Sequence, residues 1–193
     1  MLEFFNIIKN DLFVKNYSVA IGIAIMVDWL MMPIFLKNMG IYVPIALISI
    51  YYIISEMAGL IEHYFHNTKL INIFIVLFIS DIIQIFVMLL YFYNIEIFTY
   101  SLMVVFSFQA LLYEIYSIKA IQYMERYSNI NISKFQSLLL FNKSITVIIG
   151  LVISGIYSLL SKNTYYLVCF IILLSLVAIY SEFKLLKIMK EKY

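Results

Sequence analysis

Four carboxylates interrupt the long apolar runs of this chain: Asp28, Glu56, Asp81 and Glu114. A charge at the centre of a bilayer costs about 3 kcal/mol even on a lenient insertion scale. Each must therefore face protein, water or a partner, or carry a proton. Asp28 and Asp81 fall near the middles of their runs and are the first candidates for binding a proton, a cation or a substrate. The same two positions also suit a structural hydrogen bond to a neighbouring helix through Ser80, Gln84 or Gln109, so Gln84 and Gln109 belong to the candidate set on either reading. Glu56 and Glu114 lie nearer the run ends, where an ion pair is expected, and Glu114 has Lys119 about one turn away. Lys143 enters the fifth run. Its stem can snorkel to the interface, with pairing to Glu114 or Glu56 as the competing arrangement. His63 and His66 share a helical face beside Glu62. Zinc proteases space their histidines four apart rather than three, however, and no third ligand is in sight. The expectation is no metal and no cofactor. The chain also lacks a Gly-rich phosphate loop, a nucleophile elbow and a nucleic-acid-binding basic patch. It reads as a non-enzyme with no nucleic-acid partner.

The elements that must hold these groups are spanning helices. Hydrophobic residues make up 65% of the 193 residues and charged residues 12%, too little polar surface for a soluble domain of this size. Apolar runs at 17–36, 42–61, 70–93, 97–120, 137–160 and 164–181 each match the roughly 20 residues a spanning helix needs. The runs are continuous rather than alternating, which excludes a barrel. Lys9, Lys15, Lys69, Lys119, Arg126, Lys134, Lys184, Lys187, Lys190 and Lys192 fall on one side of the resulting topology, with only Lys37 and Lys162 on the other. The positive-inside rule then gives an all-α integral membrane bundle of six transmembrane helices with both termini cytoplasmic, and the expected location is a bacterial cytoplasmic membrane. The expected divisions are an interfacial segment over 1–16, the six-helix domain over 17–181 and a basic tail over 182–193. Short connections predict that consecutive helices pack as antiparallel neighbours. Pro33 and Pro44 are expected to flank the first outer turn, where a missing backbone donor matters little. Cys169, the only cysteine, rules out an intrachain disulfide. The 17 tyrosines and 16 phenylalanines divide between an interfacial belt and packing or lipid-facing positions.

Three patterns, in order, resemble the N-terminal half of the major facilitator superfamily, nearest its macrolide-efflux-like branch. Asp11 to Asn16 leading to Val27, Asp28, Trp29 and Leu30 is similar to that branch's first helix, with Val27 in place of a glycine and Asp28 matching its carboxylate. Ala58 to Lys69 resembles the loop between the family's second and third helices. Leu60 matches there and Glu62 stands for the aspartate, while the glycines and arginines of the pattern are replaced by Ala58, Phe65, His63, His66 and Asn67. Gly150 to Gly155 resembles the antiporter signature of the fifth helix, with Leu151 replacing its proline and Ser154 one glycine. The resemblance implies transport, with Glu62 latching cytoplasmic helix ends, for example by pairing with Arg126 or Lys134. Gly150 and Gly155 would permit close helix approach.

The family has twelve spans in two six-helix halves, with substrate bound between them. Six spans imply a half-size transporter, for efflux of a small molecule or peptide, completed by a second copy or by a second six-helix half. The alternative is a non-transporting membrane immunity or accessory protein that binds a peptide or a membrane partner.

Overall fold

Asp11 opens the first helix: its carboxylate accepts from the backbone N–H groups of Phe13 (2.8 Å) and Val14 (3.1 Å), satisfying two donors that a helix start leaves free. The computed structural model describes residues 11–64, 68–127, 132–160 and 164–192. They form six helices: α1 Leu12–Met39, α2 Tyr42–Tyr64, α3 Leu70–Leu90, α4 Ile95–Tyr127, α5 Ile132–Leu160 and α6 Tyr165–Lys192. There is no strand among the described residues. Gly40 stops α1 with φ 76°, a conformation that favours glycine, and its N–H donates to the Leu36 carbonyl at 3.1 Å. Asn94 caps α4, accepting from Glu96 and Ile97. Five helices, α1, α3, α4, α5 and α6, are long and apolar enough to cross a membrane. α2 is 23 residues long.

Three expectations about the helices change. The first helix begins before the boundary expected at 16, and the last runs past the one expected at 182. Phe13 and Val14 are already buried in α1, and α6 runs on to Lys192 with Glu182, Leu185 and Met189 buried. Pro33 lies inside α1 rather than beside a turn. It removes the bond to the Trp29 carbonyl, and the helix continues past it because Ile34 and Phe35 are locked in the core. Finally, sequence neighbours are not always packing neighbours. α1 packs most extensively on α6 and α5, α3 on α4, and α2 on α4, with further contacts of α3 on α6 and of α1 on α2 and α4. Contact between α4 and α5 is slight. A short loop fixes only where two helices meet, and helices this long are free to diverge beyond it.

Two apolar clusters fill the bundle. One, at the lysine-rich end, joins Phe13, Tyr17, Phe74, Tyr116, Tyr123, Phe135, Leu185 and Met189. Its rings pack in tilted pairs at centroid distances from 5.0 Å for Phe13–Tyr123 to 5.9 Å for Tyr17–Phe135. The other, at the opposite end, joins Leu30, Ile34, Met88, Phe98, Leu167 and Ile171, and next to it the Tyr91 hydroxyl bonds Thr164. Most of the buried aromatics are thus packing residues. The helix starts and ends that meet in the first cluster place Leu12 of α1 and the C-terminal turns of α6 at the same end of the bundle.

Candidate functional site

A polar layer separates the two apolar clusters. On α3 it is Ser80, Asp81 and Gln84, on α4 Gln109, and on α6 Ser175, Ser181 and Glu182, all buried. The layer sits near mid-helix: Asp81 has about 17 Å of α3 on one side and about 14 Å on the other, at 1.5 Å per residue. Asp81 and Gln84 are three residues apart on α3, and Gln109 and Tyr113 four apart on α4, so each pair presents one face to the other helix. The Gln109 amide donates both hydrogens, to Asp81 Oδ1 at 2.6 Å and to Gln84 Oε1 at 3.0 Å. The Tyr113 hydroxyl donates to Asp81, 3.2 Å from Oδ1 and 3.1 Å from Oδ2. Gln84 Nε2 has only the Met31 sulfur, at 4.0 Å. Asp81 is buried mid-helix and tied across to α4 by Gln109 and Tyr113, which is the structural hydrogen bond expected of it.

Beside this layer lies a cavity of about 290 Å³ between α1, α4 and α5, where α4 and α5 barely touch. Asp28, half-buried, lines it together with Tyr113, Glu114, Ser117 and Lys143; Tyr17, Ile21 and Leu139 make much of the rest apolar. Asp28 makes no hydrogen bond or ion pair among the described residues. Tyr113 connects the two features, since its ring lines the cavity and its hydroxyl reaches Asp81. The cavity can take up a mainly apolar molecule with a charged or hydrogen-bonding end.

Lys143 does not snorkel. Its Nζ bonds Glu114 Oε1 at 3.0 Å, closing an ion pair from α5 to α4 on the cavity wall. The groove between those helices leaves Glu114 within reach and only partly covered, so its carboxylate outcompetes a long stretch to the interface. Replacing Lys143 by Met is expected to destabilise the protein by on the order of 1.5–3 kcal/mol, the usual worth of a hydrogen bond to a charged group. The double change Lys143→Met, Glu114→Gln should recover most of the loss. Denaturant titration of the protein in detergent measures both. Glu56, by contrast, is exposed on α2 and has no ion pair among the described residues, so the helix-end pairing expected of it is absent there.

The glycines divide as well. A Cβ on Gly150 would stand 2.9 Å from Trp29 Cβ and 3.3 Å from the Met26 carbonyl oxygen, so its smallness is what lets α5 approach α1. Asn142 fixes the same contact by donating to the Ser18 carbonyl at 2.8 Å. Gly155 is exposed, and a Cβ there meets nothing within 4 Å; the close approach expected of it does not occur within this chain. Gly150→Ala should therefore lower stability by about 1–3 kcal/mol through overpacking. Gly155→Ala should be neutral or stabilising by up to about 1 kcal/mol through helix propensity. Thermal unfolding followed by circular dichroism separates the two.

The latch expected of Glu62 with Arg126 or Lys134 lies outside the described residues, because the side chains of Glu62 and Arg126 are not among them; so does His66. Glu182 is the residue that sequence reasoning missed. It falls on a buried stripe of α6 formed by Ile171, Ser175, Ala178, Glu182, Leu185 and Met189, and that helical spacing was the available signal. No protein-family model, curated protein or solved structure matches this chain.

Proposed function

We propose that this chain is one half of an ion-coupled membrane transporter, exporting a small, mainly apolar molecule or peptide and completed by a second copy or a second six-helix half. The observation that carries this reading is Asp28: a carboxylate without a hydrogen-bond partner among the described residues, facing a largely apolar cavity midway along the bundle. Packing alone gives no reason to keep such a group, and ionisable residues inside membrane helices mark ion or substrate paths. The sequence resemblance to a major facilitator half, with six spans and the lysine-rich end in the cytoplasm, points the same way. Assembly with a further half is supported by α5. It is the least enclosed of the apolar helices, and the cavity it borders is open on one side.

Reconstitution tests the reading. Vesicles carrying the protein and an imposed proton gradient should move tetraphenylphosphonium or ethidium, two apolar cations chosen as probes for Asp28, faster than protein-free vesicles do. Collapse of the gradient should abolish the difference. Absence of gradient-dependent movement, together with stable capture of a single membrane partner in nanodiscs, would replace this reading with that of an accessory or immunity protein.

A further inference from the structure

We infer that the last turns of α6 form a binding face for the headgroup of an anionic phospholipid, with Lys184, Lys187 and Lys190 holding its phosphate. The inference requires that α6 cross the bilayer and is independent of transport.

The length of α6 sets the depth of these residues. Tyr165 and Lys184 stand about 28 Å apart along the axis at 1.5 Å per residue, close to the roughly 30 Å of hydrocarbon in a bilayer. Exposed tyrosines mark both levels, Tyr165 and Tyr166 at one and Tyr180 at the other, as aromatic residues do where a helix leaves the hydrocarbon. Yet α6 continues to Lys192, about 12 Å further. The continuation is two-sided. Leu185 and Met189 extend the buried stripe into the apolar cluster shared with α1 and α3. On the opposite side Tyr180, Phe183, Lys184, Lys187 and Lys190 are all exposed, and at 3.6 residues per turn they fall within about 120° of one another. Their order along the axis matches that of a lipid: two aromatic rings come first, at the edge of the acyl region, and three ammonium groups begin at the level of the phosphates.

Lys184 bends back over the Tyr180 ring, with Nζ 4.4 Å from its centroid. That contact holds the charge at the membrane boundary and leaves N–H donors of the ammonium for a phosphate oxygen. The protein itself does not neutralise this face. Lys184, Lys187 and Lys190 form no ion pair among the described residues, and Glu182 lies on the buried side of the helix. α1 and α3, which pack against α6, begin at this end and bring Lys15 and Lys69, both exposed. Asp11, at the start of α1, is engaged in capping that helix. Over residues 183–192 the sequence has four lysines against one glutamate. A phospholipid with net negative charge complements such a face, whereas a zwitterionic one brings a cation of its own and gains little there.

Native mass spectrometry of the intact chain in a non-ionic detergent tests the assignment, with phosphatidylglycerol and phosphatidylcholine of identical acyl chains as probes. The unaltered protein should bind phosphatidylglycerol more tightly by a factor of about 100, since each lysine at an anionic surface strengthens attraction about fivefold. Changing all three lysines together, Lys184→Gln, Lys187→Gln and Lys190→Gln, should bring the two lipids to equal affinity. Changing the same three to Arg should keep the preference. All three side chains are exposed, and circular dichroism of each variant will show that the fold is retained. Equal affinity of the unaltered protein for the two lipids, an undiminished preference in the glutamine variant, or its loss in the arginine variant overturns the inference. Displacement of bound phosphatidylglycerol by an equal concentration of glycerol phosphate also overturns it, because the face would then select a soluble anion. Gradient-driven movement plays no part in this readout, so the lipid preference stands or falls separately from the transport reading.

Discussion

Gln109→Leu is expected to lower the stability of the folded protein by about 2–6 kcal/mol, the sum of two buried acceptors that lose a donor at 1–3 kcal/mol each. One amide serves both: it donates to Asp81 at 2.6 Å and to Gln84 at 3.0 Å, in a site where Gln109 is 2% exposed. Leucine fills nearly the same volume, so little of the loss will come from a cavity. Gln84→Leu removes only one acceptor and a weak contact to Met31, and should cost nearer 1 kcal/mol. Making both changes together should cost less than the sum of the two, because once Gln84 is gone Gln109 has only Asp81 left to serve. Denaturant titrations of the four proteins in one detergent give the cycle. Strict additivity would mean that the two glutamines act independently and that the layer is not a network. Asp81 would keep Tyr113 in every case, which is why the expected loss is a few kcal/mol rather than complete unfolding.

The parts of this site that could be read from the sequence are those where polarity breaks an apolar run. Asp28, Asp81, Gln84 and Gln109 stand out because they interrupt apolar runs with no lysine or arginine near them in the chain, and a helix in lipid makes such a residue conspicuous. Glu182 is as deeply buried as any of them, yet it is followed by Lys184, Lys187, Lys190 and Lys192. Composition therefore reads the segment as a tail, although Leu185 and Met189 continue the buried stripe of α6 one and two turns further on. Periodicity carried the information that composition hid. Lys143 was ambiguous for a different reason. A flexible four-carbon stem reaches either an interface or a carboxylate on another helix, and only the placement of α4 against α5 decides between them. Helix pairing was the least legible feature. Loop lengths say that α5 and α6 meet at one end, but not that α5 will spend its length against α1. That depends on Gly22 and Gly150, which leave room for the α5 side chains Thr146 and Asn142 and for Trp29 of α1 respectively.

Asp28→Asn is expected to separate stability from function. Most buried polar residues lose stability when altered, since they leave a partner unsatisfied. Asp28 has no hydrogen-bond partner to abandon among the described residues, and it lies near a second acidic group, Asp81. Replacing its carboxyl by an amide removes an ionisable group from a mainly apolar cavity and should leave stability unchanged or raise it by about 1 kcal/mol, the pattern of a residue retained for activity at some expense to the fold. Gradient-driven movement of an apolar cation should meanwhile fall by a factor of about 100 or more, the size of effect given by losing a charge-assisted contact of about 3 kcal/mol. Gln109→Leu should do the opposite, destabilising first and impairing movement only as far as the folded fraction declines. Unfolding and flux measured on the same preparations place each residue on one side or the other. If Asp28→Asn instead destabilised the protein by 2 kcal/mol or so and spared movement in proportion to what remained folded, Asp28 would be a structural residue and the cavity it faces would lose its claim to be the transport site.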